Sequence, residues 1–172
     1  MCGIIAVIDT NQAPIAREAL WNSVQSMSHR GPDGQNLWID PTGAVGLGHA
    51  RLSVIDLSGG TQPLLNEQAG CVAVVNGEFY DYKKTRRQLQ REGFTFNTKS
   101  DSEILIPLWE KYGTECVHHL RGEFAWVLSS LKRMNMVKIF TIIEKQVYKK
   151  VTHFGGQISK DFEVFLRRYP SP

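Results

Sequence analysis

A cysteine stands directly behind the initiator methionine, in the opening run MCGII. Chain termini are poorly tied down, so a purely structural thiol gains little at that address. A nucleophile gains something specific. With Met1 removed, Cys2 carries both a thiol and a free α-amino group, whose ordinary pKa of roughly 7.7–8.0 lets it accept a proton near neutrality. Nucleophile and base then belong to one residue. Further along, Asn76-Gly77 ends an apolar run. The pair is a common turn, yet it also offers a backbone N–H beside a side-chain amide, two neutral donors suited to a carbonyl oxygen that turns negative. Arg51 could be a surface charge or a planar fork for a carboxylate. Asp101 could cap a helix or hold a substrate ammonium. A free α-amino acid with a side-chain amide, such as glutamine, would use a thiol, a local base, an oxyanion site and both clamps.

Several elements must position these residues. GIIAVID (3–9) reads as a buried strand, and Leu20, Trp21, Val24 and Met27 recur at helical spacing, which predicts an amphipathic helix over 15–28. HRGPDG (29–34) and LSGGTQPL (57–64) are Gly/Pro-rich loops, and residues 44–55 between them return to a strand pattern. CVAVVNG (71–77) is a continuous apolar strand. A charged helix follows over 81–92, with Gly93 as its stop. Ser100 or Asp101 is placed to cap a helix over 102–112, whose buried stripe is Ile104, Leu105, Leu108 and Trp109, and 122–129 is another buried strand. The mixed order without strict βαβ alternation favours an α+β layered domain.

Composition excludes several classes. At 172 residues and 42% hydrophobic, the chain has the size and make-up of one ordinary globular core. Its apolar runs are too short to span a bilayer, and the N-terminus lacks the basic and apolar regions of a signal peptide. Cys2, Cys71 and Cys116 are an odd count without CxxC spacing, which argues against a disulfide framework or a zinc site and for a cytoplasmic location. The adjacent His118 and His119 would point apart on a helix, and no HExxH or Gly-rich phosphate loop accompanies them, so no metal is expected.

MCGI at the terminus, HRGPDG at 29–34, GHARLSVIDL at 48–57, QPL at 62–64, NGEFYD at 76–81, SDSE at 100–103 and LRGEFA at 120–125 occur in this order. Together they resemble the class II glutamine amidotransferase domain of glutamine-hydrolysing asparagine synthetases, a family of N-terminal-nucleophile hydrolases. The resemblance covers residues 1–130. It implies a four-layer αββα sandwich of antiparallel sheets, with Cys2 as nucleophile and Asn76 and Gly77 as oxyanion hole. It further implies that Arg51 holds the glutamine α-carboxylate, that Leu52, Ser53, Val54 and Ile55 line the pocket, and that Glu78 and Asp101 surround the α-amino group. The implied reaction is hydrolysis of L-glutamine to glutamate and ammonia through a cysteine thioester, with no cofactor. ATP and Mg²⁺ would belong only to a synthetase domain, to which two-domain relatives pass the ammonia.

Residues 1–130 carry 11 Lys/Arg against 14 Asp/Glu, a balance of −3, whereas 131–172 carry 9 against 3, a balance of +6. The family motifs stop near Ser129-Ser130, which divides the chain into an amidotransferase part (1–130) and a divergent basic tail (131–172). The tail reads as a truncated or out-of-frame continuation, with a basic amphipathic helix over 136–151 and a shorter one over 161–168. The expected consequences are an incomplete C-terminal side of the fold, an unpaired sheet edge, low stability and weak glutaminase activity. A separate ATP-dependent synthetase subunit would then use the ammonia, and no nucleic acid or membrane partner is expected. The alternative reading is a non-catalytic remnant or binding module of the same family, which keeps the pocket without turnover.

Overall fold

The computed structural model describes residues 1–9, 13–57 and 59–130, together with the backbone of 136–143 and 146–152. Two antiparallel sheets make its centre. The first has three strands, β1 (Gly3–Ile8), β2 (Gly34–Ile39) and β3 (Val45–Arg51), in the order β1-β3-β2. The second runs β4 (Leu64–Asn66), β5 (Cys71–Phe79), β6 (Gly122–Ser130), β7 (Met136–Ile143) and β8 (Gln146–Thr152) in chain order. Helix α1 (Arg17–Ser26) covers the outer face of the first sheet. Helices α2 (Tyr82–Arg91) and α3 (Leu105–Tyr112) cover that of the second. The layers are αββα, as the sequence motifs imply.

Strand alternation builds this stacking. Along β5, Cys71, Ala73 and Val75 turn to the helices and join Leu105, Trp109, Trp126 and Leu128 in one core. Val72 and Val74 turn the other way and meet Val45, Leu47 and Val127 between the sheets, with Ile4, Ala6, Ile8 and Trp38 around them. Because β5 is buried on both faces, it reads as an unbroken apolar run rather than an alternating one. On the first sheet, Leu20 and Val24 of α1 sit directly on β3, where a Cβ on Gly48 would lie 2.3 Å from Val24. Burying each of those side chains contributes about 1.5–3 kcal/mol, and the bare glycine allows the close approach.

The expected stripe Ile104, Leu105, Leu108 and Trp109 is buried, and Gly93 (φ +95°) follows the end of α2. Strands β2 and β4 were not legible: GQNLWI is half-polar, and β4 is only three residues long. The helix expected over 136–151 is corrected to the hairpin β7–β8. Its residues are rich in Val, Ile, Phe, Tyr and Thr, which favour a pleated surface over a helix. β7 pairs along β6 from Phe124↔Ile142 to Ser130↔Met136, so the unpaired edge expected at β6 is covered. The short helix expected over 161–168 lies outside the described residues.

Candidate active site at the mouth of the sandwich

The apolar packing between the sheets stops at one end, where polar side chains take over. In β1 and β3 the inward positions are Ile4, Ala6 and Ile8 and Val45 and Leu47, so the same alternation turns Cys2 and Arg51 into the gap. The register Gly3↔Ala50 sets them side by side. In β5 the inward positions Val72 and Val74 continue to Asn76 and Glu78 on the facing sheet. Four of the residues singled out in the sequence therefore face one opening from two sheets.

Cys2 is half-buried and held by the chain just past β3. The Leu52 N–H donates to its Sγ (3.4 Å), and its S–H points back at the Leu52 carbonyl (3.7 Å). The HRGPDG loop braces both sides of this contact. Arg30 donates to the Cys2 carbonyl (3.2 Å), Asp33 N–H donates to the Arg51 carbonyl (2.9 Å), and the Asp33 carboxylate accepts the Ser53 N–H (2.7 Å). Met1 is exposed, so its removal disturbs no packing.

Arg51 donates through Nη2 to the carbonyls of Ile55 and Asp56, so its guanidinium organises the loop that the motif GHARLSVIDL predicts as pocket wall. Among the described residues only Nη2 is engaged, so Nε and Nη1 offer the rest of the planar fork to another acceptor. Leu52, Ser53 and Ile55 are half-buried, and Val54 is 74% exposed, so Val54 lies on the outer rim rather than within a closed wall. Gly60 brings the far end of this loop against Arg51 and Ser100.

Asp101 is buried and does not cap the following helix through its side chain. Its Oδ2 accepts the Phe79 N–H (2.8 Å), which ties the 97–103 segment to the end of β5. Glu103 anchors that segment further, accepting from the Asn97 and Thr98 N–H groups and from Arg86. Asp56 connects the two loops by accepting the Lys99 N–H (2.8 Å). Sequence reasoning missed Asp33, Asp56 and Glu103 as braces, although they lie within the motifs HRGPDG, GHARLSVIDL and SDSE.

The edge of β5 at this end is chemically unusual. Val75 N–H donates to the Gln62 side chain (2.6 Å) and Phe79 N–H to Asp101. Alternation turns the N–H of Gly77, midway between them, to the same edge, beyond the end of β4. Gly77 has φ +132°, and a Cβ there would fall 2.1 Å from the Glu123 carbonyl, so only glycine fits. The Asn76 Oδ1 beside it is buried without a hydrogen-bond partner. Glu78 is exposed at the rim, opposite Glu123. His49 lies buried between the sheets with Nε2 3.2 Å from the Val75 carbonyl. Burial pushes its pKa down to about 4; the bond to Val75 opposes that and the Arg51 charge assists it. Among the described residues no three His, Cys, Asp or Glu side chains come together to hold a metal, and no helix is long and apolar enough to cross a membrane.

A thiol at a strand terminus, at the mouth of an αββα sandwich, is the arrangement of an N-terminal-nucleophile amidotransferase. Residues 1–139 match the family described as "Glutamine amidotransferase domain", and the chain belongs to that family. It is 45% identical over 148 residues to amidase chry2 of Gibberella zeae, covering 80% of this chain and 22% of that protein. It is 38% identical over 133 residues to asparagine synthetase [glutamine-hydrolyzing] 1 of Bacillus subtilis, covering 74% of this chain and 20% of that protein. The chain thus spans about a fifth of the length of these relatives. Among solved structures, the glutamine phosphoribosylpyrophosphate amidotransferase of B. subtilis superimposes with a TM-score of 0.67 at 17% identity, covering 82% of this chain and 37% of that one, which shows a shared fold.

Proposed function

We propose that this domain hydrolyses L-glutamine to glutamate and ammonia with Cys2 as nucleophile. The observation that carries the reading is the Cys2 thiol, bonded to the Leu52 N–H beside Arg51, with Asn76 and Glu78 at the inward positions of the facing sheet. After loss of Met1, the Cys2 α-amine takes the thiol proton, and the thiolate attacks the amide carbon of glutamine. The tetrahedral oxygen is met by the Gly77 N–H and the Asn76 side-chain amide, an electrostatic contribution that costs no reorganisation. The C–N bond breaks as the amine returns the proton to departing ammonia, and water then cleaves the γ-glutamyl thioester. Arg51 binds the α-carboxylate. Glu78 and Asp101 receive the α-ammonium, which would also relieve the like-charge pair Glu78–Glu123. Leu52, Ser53 and Ile55 shape the pocket, with Val54 at its rim.

No step in this chemistry calls for a cofactor. The B. subtilis relative is an asparagine synthetase, so we further propose that the ammonia is used in an ATP- and Mg²⁺-dependent amidation carried by another unit, with residues 1–130 as the amidotransferase part. Glutaminase assays test the core of the reading. Cys2→Ala abolishes ammonia release. Asn76→Ala lowers kcat by about 10²–10³. Arg51→Lys raises KM, because an ammonium does not reproduce a bidentate contact. Parent-rate turnover by Cys2→Ala, or equal KM effects from the other two, contradicts these roles.

A further inference from the structure

We propose that Gln62 and His49 are positioning residues for the oxyanion-binding end of β5: together they fix the peptide of Val75 and so set where the Gly77 N–H points. The inference rests on the function proposed above.

β4 pairs with β5 from Leu64↔Ala73 onward, a register that would place residue 62 opposite Val75. The backbone strand begins only at Leu64, so the peptide of residue 62 does not make that pair. The side chain of Gln62 takes over instead. Its Nε2 donates to the Val75 carbonyl (3.2 Å), and its Oε1 accepts the Val75 N–H (2.6 Å). That is the two-bond exchange of a strand pair, made by a side-chain amide that mimics a peptide. The ladder gains one more rung and then ends, which leaves the next N–H on that edge, Gly77, without a strand opposite it among the described residues.

His49 supplies the second contact. It reaches from β3 across the sheet interface to the same Val75 carbonyl, 3.2 Å away; a carbonyl only accepts, so this bond assigns the proton to Nε2. A carbonyl has two lone pairs, and here both are occupied by side-chain donors from different elements. Gln62 and His49 are 6% and 1% exposed, so water does not substitute for either bond. The low pKa of His49 keeps the ring neutral at ordinary pH, which suits a fixed donor rather than a proton carrier. Beyond Gly77, Asp101 holds Phe79. The oxyanion donor is thus suspended between two fastened peptides, and a small displacement of such a donor is costly to turnover.

The test compares transition-state-like and ground-state ligands. L-glutamate γ-semialdehyde adds the Cys2 sulfur to its carbonyl carbon, with the thiol proton passing to the oxygen, so the tetrahedral oxygen is formed and nothing leaves. Glutamine affinity is read by calorimetry in a Cys2→Ala background. In Gln62→Leu, kcat and aldehyde affinity fall about 10- to 100-fold while glutamine affinity changes less than about twofold. His49→Leu behaves likewise, and His49→Gln, which keeps an amide N–H near the Nε2 position, restores most of the turnover. Unchanged kcat in a folded Gln62→Leu overturns the inference, and so does a glutamine affinity that falls as far as the aldehyde affinity. If Gln62→Leu does not fold, equal kcat in His49→Leu and His49→Gln overturns it. A parent chain that neither hydrolyses glutamine nor binds the aldehyde contradicts the proposed function and this inference with it; a competent parent with insensitive variants contradicts the inference alone.

Discussion

In the proposed reaction the Gly77 N–H receives the oxyanion, and the backbone that presents it is one that only glycine adopts here. Its φ of +132° and its contact with the Glu123 carbonyl leave no room for a methyl group. Gly77→Ala should cost on the order of 2–4 kcal/mol of stability, from strain plus overpacking, and reduce glutaminase kcat at least tenfold. Urea unfolding and steady-state kinetics on the same preparation check both. His49 makes a separate prediction. Because burial lowers its pKa from 6.5 to about 4, the unfolded chain binds the extra proton first. Its contribution is fully present above about pH 6.5 and is lost as pH falls through 4, up to about 3 kcal/mol. Thermal melts between pH 7 and 4 should show this fall in the parent and a flatter profile in His49→Gln.

At the scale of elements, the site depends on loops that acidic side chains tie together. Glu103 fastens residues 97–98 and Arg86, and the same short segment carries Asp101 to Phe79. Glu103→Gln keeps the size but weakens the charge-assisted bonds, and should raise the glutamine KM several-fold with a loss of about 1–2 kcal/mol in stability. Unaltered KM would show that the segment does not need this anchor. Much of this scale was legible beforehand. The β5 run, the stripe on α3 and the Gly93 stop follow from periodicity and turn chemistry. The motif order brought Cys2, Arg51, Asn76 and Glu78 to the candidate site. What stayed hidden depends on partners far apart in sequence. Gln62 looks like an ordinary loop amide until Val75 is placed opposite it, and β4 is too short to show a period. Residues 136–151 carry both helical and strand patterns, and only pairing with β6 decides between them.

For the whole molecule, one domain supplies every group that the proposed chemistry uses. The first sheet carries Cys2 and Arg51, the second carries Asn76 and Gly77, and the helical layer packs on the second sheet from behind. The sandwich mouth is therefore sensitive to how the two sheets face each other, and His49 is a direct polar bridge between them. The chain matches only about a fifth of its asparagine synthetase and amidase relatives, so the hydrolytic half-reaction is the activity to measure on it. The most direct measurement is intact-protein mass spectrometry of the purified chain, acid-quenched during turnover with glutamine. The account predicts a protein lacking Met1 that gains the mass of one γ-glutamyl group, located on Cys2 by peptide mapping and absent from Cys2→Ala. Ammonia released at the parent rate from a chain that retains Met1, or an adduct on Cys71 or Cys116 instead, would contradict it.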